Sequence, residues 1–158
     1  MWTPVLVVAT VGTACVGGVL FAFSSFVMPA LGQIAPAEAI RAMQSINVFA
    51  ERAPLGLAIA LPALAAIALS IKQFVDWQGT ESVLVLVGTG IYLVVAIGVT
   101  GAINVPLNNG LAIAAPGTDA AATWQAYAQP WVLANHLRTA GALLASAAFA
   151  VSAAVRAA

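Results

Sequence analysis

The sequence predicts an all-α integral membrane protein: a four-transmembrane-helix bundle with short interfacial amphipathic helices in its two longer loops. Three observations carry this. Of the 158 residues, 63% are hydrophobic and only 6% are charged, and the mean hydropathy of +1.04 lies far outside the balance of soluble domains. Four apolar stretches, residues 3–28, 53–72, 82–104 and 131–156, are each long enough for a hydrocarbon core of about 30 Å, which takes roughly 20 helical residues. The stretches are rich in Ala, Leu and Gly and show no ten-residue alternation, which favours helices over a membrane barrel. Four such helices account for residues 1–158 as one domain.

The first stretch starts almost at Met1 with no basic leader and no Ala-x-Ala-like exit, so a retained helix is expected in place of a cleaved signal. Within it Ala14, Gly18 and Ala22 fall four apart, the spacing of a close helix contact. The lone cysteine, Cys15, has no intrachain disulfide partner and reads as a small packing residue. In the loop that follows, Ile40, Met43, Ile46 and Phe49 recur at helical spacing behind Pro36, which predicts an interfacial helix over the bundle mouth. Pro62 is expected to kink the second span and free a carbonyl. Gly88, Gly98 and Gly101 mark close contacts of the third span. That span is expected to end at Asn104-Val-Pro106-Leu-Asn108-Asn109-Gly110, since Pro and Asn-Gly punctuate helices. A second amphipathic piece, Thr118 to Tyr127, presents Trp124, Tyr127 and Trp131 on one face ahead of the fourth span.

An even number of spans puts both termini on one side. Lys72 and Arg156 favour the cytoplasm for that side, with Arg41 and Arg52 weighing against. A bacterial cytoplasmic membrane with both termini inside is the expected location.

Alternating helix direction gathers the polar residues at the opposite side. Asn47, Glu51 and Arg52 precede the second span, Asn104 and Asn108 close the third, and Trp124, Tyr127, Trp131, Asn135, His136, Arg138 and Thr139 surround the start of the fourth. The other half of the bundle reads as almost purely Ala, Val, Leu and Ile, so no polar path for a transporter is expected. Such asymmetry suits a pocket opening toward one interface. On a helical wheel Trp131, Asn135 and Thr139 share a face, flanked by His136 and Arg138, so all five can line one broad interior arc. Ionisable groups at membrane depth are functional or paired. Arg138 needs a carboxylate, carbonyls or an anionic ligand, and Glu51 is its nearest protein candidate. His136, the only histidine, can alternatively bridge helices to Asn104. Capping is the favoured role for Asn104 and Asn108, and interface anchoring for the Trp and Tyr residues.

Several phrases carry a family resemblance: Phe21-Ala-Phe-Ser-Ser-Phe-Val-Met-Pro-Ala-Leu31, Ala42-Met-Gln-Ser-Ile-Asn47, Val99-Thr-Gly-Ala-Ile-Asn-Val-Pro-Leu-Asn108, and Trp124-x-x-Tyr127 followed by Trp131-x-x-x-Asn135-His136-x-Arg138-Thr139. In this order and over nearly the whole chain they resemble the small four-helix anthrone oxygenase-like membrane proteins, long catalogued as a domain of unknown function. Glu51-Arg52 matches no phrase of that family and takes no role from it. The resemblance implies oxidation of an anthrone, or another lipophilic polycyclic aromatic, by dioxygen without metal or flavin. An anthrone has an acidic methylene whose enolate can pass an electron to dioxygen directly. On that chemistry His136 is the expected base. Arg138, Asn135 and Asn104 are expected to stabilise the oxyanion. Trp124, Tyr127 and Trp131 would stack on the flat ligand, with Asn47, Asn108 and Thr139 completing the substrate contacts.

No cofactor is expected. One His and one Cys make no ordinary transition-metal site in a single chain, and a haem held by His136 alone or between two protomers is the remaining metal reading. No glycine-rich phosphate motif or basic patch points to nucleotide or nucleic acid. The expected partners are the lipid bilayer, a lipophilic aromatic molecule, dioxygen, and a second copy or a larger membrane complex. The alternative reading is non-enzymatic: an accessory subunit, or a binder of a quinone-like lipophilic ligand.

Overall fold

A computed structural model describes residues 2–50, 52–115, 117 and 119–157. Among these residues the chain forms five helices: α1 (Thr3–Leu31), α2 (Pro36–Ala50), α3 (Ala53–Val75), α4 (Thr80–Ala112) and α5 (Ala120–Ala157). α1, α4, α5 and the Pro54–Val75 part of α3 are long and apolar enough to cross a membrane. The four-helix membrane bundle is therefore the fold. α1 and α4 each pack against both α3 and α5, closing a four-cornered ring. α2 is the expected amphipathic helix. Ala39, Ile40, Met43 and Asn47 are turned inward, while Glu38, Arg41, Ser45, Val48 and Phe49 stay exposed. It lies against α5 and the last turns of α4. One apolar core, including Leu6, Val16, Leu69, Val85, Tyr92 and Phe149, fills the bundle. A second, including Met28, Ile40, Met43, Leu111, Tyr127 and Trp131, sits beneath α2.

Two of the expected boundaries move. The third span does not stop at Asn104 but runs to Ala112. The reason is visible just ahead of Pro106, where residues Thr100–Asn104 form a wide turn closed by Val105 N–H on the Thr100 carbonyl. Proline has no N–H and its ring crowds the preceding turn. A wide, i to i−5 turn skips the position that proline cannot serve, and the helix resumes behind it. The same device stands in α1, where Phe23–Val27 are wide and Met28 N–H reaches the Phe23 carbonyl immediately before Pro29. Tyr92–Gly98 of α4 is widened as well.

The second boundary concerns the amphipathic piece ahead of the fourth span. It is not separate, because α5 is continuous from Ala120 through Pro130 to Ala157; Thr118, its expected start, lies outside the described residues. Pro130 and Ala126, whose carbonyl the proline leaves without an N–H, are both exposed, so the defect faces outward. At 38 residues and about 1.5 Å per residue, α5 rises roughly 57 Å and overruns the hydrocarbon core.

Close approaches also fall elsewhere than expected in α1. A Cβ on Gly12 would lie 2.7 Å from the Pro62 ring of α3, and one on Gly17 would lie 2.7 Å from Leu143 of α5, whereas nothing stands within 4 Å of Gly18. Gly12 and Gly17 are roughly 140° apart around the helix, each facing one neighbour, and Gly18 falls on the outward arc, where it is exposed. In α4, Gly88 approaches Phe149 and Ala148 as expected, Gly98 and Gly101 meet no neighbouring helix, and the tight partner is Gly141 of α5 against Val95. Pro62 does occupy the interior of α3, and in the turn before it the Ile59 carbonyl accepts from Tyr92 Oη at 3.2 Å.

The half of the bundle expected to be apolar is not. Ser70, Gln73, Glu81, Ser82, Thr89 and Ser152 are all buried there. Ser70 Oγ donates to Thr89 Oγ1 at 2.9 Å, Gln73 Nε2 to Glu81 Oε1 at 3.0 Å, and Ser82 Oγ to Gln73 Oε1 at 2.6 Å. These bonds tie α3 to α4, and single polar residues spaced along apolar helices give no periodic signal by which to see them. At the connecting turn, Lys72 Nζ lies 3.2 Å from Asp76 and its hydrogen bond holds that exposed carboxyl below its ordinary range.

Gly141→Ala should destabilise the bundle by about 1–3 kcal/mol, the usual cost of overpacking, because its Cβ would lie 2.9 Å from Val95 Cβ. Gly18→Ala should cost nothing. Thermal unfolding of both variants in detergent checks the pair.

Candidate functional site

A cavity of about 170 Å³ opens between the ends of the helices beneath α2. Its lower wall is apolar, with Val16, Val19 and Leu20 from α1 and Leu55 and Ile59 from α3. Phe23 and Trp131 bring two rings to it, with centroids 5.9 Å apart. Met43, Ile46, Asn47 and Ala50 of α2 cover it, and Thr100, Asn104, Asn108 and Arg138 supply the rest of its polar lining.

Three of those polar side chains hold a buried atom without a hydrogen-bond partner among the described residues: Asn47 Nδ2, Asn104 Oδ1 and Arg138 Nε. Each residue is more than nine-tenths buried, at 8%, 1% and 8% exposure. Leaving such a group unpaired costs about 1–3 kcal/mol, more when it is charged. Their orientation follows from their neighbours. Asn104 Nδ2 donates to the Trp131 carbonyl at 3.2 Å, an atom that can only accept, so Oδ1 must turn the other way. Arg138 Nη1 donates to Asn135 Oδ1 at 3.3 Å, which ties one end of the guanidinium. Asn47 approaches the Tyr127 hydroxyl from α2, yet its Nδ2 closes no hydrogen bond.

The wall behind the cavity is a set of satisfied groups. Asn108 Oδ1 accepts from Tyr127 Oη at 3.0 Å and from Trp131 Nε1 at 2.9 Å. This one amide oxygen serves two buried donors of α5. Trp124, Tyr127 and Trp131 lean on one another at 5.8 and 6.3 Å between centroids. The cover is latched as well, since Gln44 Nε2 donates to the Leu111 and Ala114 carbonyls at 2.8 and 3.1 Å. The Leu111 carbonyl, in the last turn of α4, also accepts from the Ala114 N–H, and the Ala114 carbonyl lies just past the helix end.

The structure thus brings Asn47, Asn104, Asn108, Trp131 and Arg138 together at the cavity. Tyr127, Asn135 and Thr139 lie buried behind its wall, and Thr139 Oγ1 donates back to the Asn135 carbonyl at 2.8 Å. Neither Asn104 nor Asn108 caps a helix, because α4 continues past both. His136 is the main departure from expectation. It is exposed and lines a separate outer groove with Trp124, Met28 and Pro29, and Asn104 bonds to α5 backbone without it. The inward arc of α5 runs through Trp131, Ala134, Asn135, Arg138, Thr139 and Ala142; His136 stands one step, about 100°, beyond Asn135. Arg52 packs its guanidinium on the exposed Phe49 ring, 4.1 Å from the centroid. Glu51, the expected partner of Arg138, lies outside the described residues. Among those residues no three His, Cys, Asp or Glu side chains cluster as metal ligands.

Sequence reasoning missed Phe23, Met43, Ile46 and Thr100 as cavity residues. Met43 and Ile46 were visible as the inward face of α2. Phe23 and Thr100 sit on the wide turns before Pro29 and Pro106, so their signals were a proline shortly after an apolar run and their place within the family phrases Phe21–Leu31 and Val99–Asn108.

Residues 46–148 match the family described as anthrone oxygenase. The chain belongs to the anthrone oxygenase family. No curated protein and no solved structure matches it. The family match takes in α2 from Ile46 on, all of α3 and α4, and α5 as far as Ala148. It therefore covers every polar residue of the cavity in this anthrone oxygenase family member, but none of α1.

Asn108→Leu should cost about 1–3 kcal/mol, since it leaves the Tyr127 hydroxyl and the Trp131 indole buried without an acceptor. Asn108→Asp keeps the acceptor and should retain most of the stability. Unfolding followed by tryptophan fluorescence distinguishes the two.

Proposed function

We propose that this chain oxidises a flat, lipophilic aromatic ketone of the anthrone type with dioxygen, in the cavity beneath α2 and with no cofactor. The observation that carries the reading is that three side chains lining a mostly apolar cavity, Arg138, Asn47 and Asn104, each hold a buried atom (Nε, Nδ2 and Oδ1) without a hydrogen-bond partner among the described residues. A ligand of this class supplies what they lack: an oxygen that takes up negative charge beside the two donors, and a hydroxyl that can donate to Asn104.

Size supports a partial insertion. An apolar cavity of about 150 Å³ holds one benzene, so about 170 Å³ seats the oxygen-bearing ring and little more. Val19 and Val105 line the cavity and are also 43% and 42% exposed, which lets the remaining rings extend toward lipid.

The chemistry needs no external reductant. A water molecule at the cavity mouth takes the first methylene proton, and the enolate carbon gives its electron pair to dioxygen and forms a C–O bond. The resulting peroxide takes a proton back, and loss of the second methylene hydrogen with O–O cleavage releases water and leaves the carbon as a carbonyl, so that CH2 and O2 become C=O and H2O. Arg138 favours the charged enolate over the neutral ketone in a site where water does not screen it. His136, on the outer groove, has no place in this step. The ionisation rests on the acidity of the substrate, raised by the fixed cation.

Oxygen uptake by detergent-purified protein with simple anthrone should exceed the spontaneous rate. Arg138→Met should lower it by about 10²-fold or more, and His136→Ala should leave it nearly intact. Uptake that survives in Arg138→Met, or vanishes in His136→Ala, would sink the assignment. Absence of uptake in the unaltered protein would favour binding of a quinone-like ligand without turnover.

A further inference from the structure

We infer that Ser24 and Asn135 are positioning residues that lock the Arg138 guanidinium and thereby set how strongly the cavity favours an ionised ligand; the inference rests on the reading of the cavity as an aromatic-oxyanion site. Neither residue lines the cavity. Asn135 is fully buried, and its Nδ2 donates to two atoms of α1, the Leu20 carbonyl and Ser24 Oγ, both at 2.7 Å. The Leu20 carbonyl can only accept, so the amide has one possible orientation. Its oxygen is forced toward α5, where Arg138 Nη1 meets it.

The arrangement is more than a fastener between α1 and α5. A fastener needs only the Nδ2 side of the amide, whereas here the other side holds a cation that lines the cavity by one nitrogen and leaves its buried Nε without a partner among the described residues. Asn135 and Arg138 are three apart on one helix, the spacing at which side chains meet. Ser24 comes into place because it stands on the wide turn of Phe23–Val27. A flexible arginine would lose rotamer freedom on gripping a ligand, and one already held has that cost met by the fold.

The measurement uses alizarin, a hydroxyanthraquinone whose colour reports ionisation of its hydroxyl, titrated with pH in the presence of the full chain in detergent. Anthracene, flat and without a hydroxyl, serves as the control ligand. A fixed cation close to the bound hydroxyl should lower the pH at which it ionises by about one to three pH units relative to dye in empty micelles, and Arg138→Met should remove this displacement. Ser24→Ala and Asn135→Leu should cut it by roughly tenfold in the ionisation constant, Ser24→Thr should restore it, and anthracene affinity should not change in any of them. No displacement in the unaltered protein, an unchanged displacement in Ser24→Ala and Asn135→Leu, or a parallel loss of anthracene binding would each overturn the inference. Oxygen uptake is scored separately: a dye displacement that depends on Ser24 and Asn135 in a protein that never consumes oxygen upholds the positioning role and rejects the oxidation.

Discussion

Inside a hydrocarbon layer no water is at hand to take up a polar group that the protein leaves open, and the whole arrangement of this bundle follows from how that constraint is met at its prolines. Pro29 and Pro106 each interrupt a spanning helix, and each is preceded by a wide turn that carries the chain past the missing N–H. An i to i−5 turn adds a residue to the loop of the helix, so it changes which side chains point inward. In α1 that change delivers Phe23 and Ser24 to the interior; in α4 it delivers Thr100 and Asn104. The two wide turns stand at the cavity end of the bundle, and the polar wall is built on what they present.

The two ends of the bundle differ in how many polar groups they leave open: among the described residues three buried atoms lack a partner at the cavity end and one, Ser152 Oγ, at the other. Around Gln73, Glu81 and Ser82 donors and acceptors meet across α3 and α4, and the same seam continues through Ser70 and Thr89. Hydrogen bonds of this kind contribute only about 0.6 kcal/mol each on average in membrane proteins. At the cavity, three buried atoms have no partner among the described residues, at a cost of about 1–3 kcal/mol apiece. A small bundle whose fastening bonds are individually weak gains nothing structural from such groups. On the proposed reading a ligand completes them, beside side chains that Asn108, Gln44 and Asn135 tie in place.

The spans were legible in the sequence because apolar length is an additive property that needs no knowledge of neighbours. The inward face of α2 was legible for a similar reason, through the spacing of Ile40, Met43 and Ile46. Punctuation was less dependable: Pro106, Asn109 and Gly110 signal a helix end by themselves, yet the wide turn ahead of Pro106 lets the helix continue. His136 shows the limit of a helical wheel, which gives angles between residues but not the width of the buried arc. Asn104 and Asn108 were expected to cap, which holds only where a helix ends. The role of Asn135 was out of reach, since its partner Ser24 lies 111 positions earlier in the chain, in a segment that carries no charge and no distinctive polar pattern.

The identity of the cation completes the physical account. A guanidinium presents five N–H donors in a rigid plane, whereas an ammonium concentrates its donors on one rotating nitrogen. Holding and offering are therefore separable in an arginine: Arg138, which lines the cavity, is gripped through Nη1 by Asn135 while its buried Nε has no partner among the described residues. A lysine at the same position would have to serve anchor and ligand from one nitrogen, without the separate, planar donors that a guanidinium offers. The division of labour within one side chain also explains why the amide that grips it is itself doubly held, because any freedom in Asn135 would pass directly to the orientation of the donor that faces the cavity.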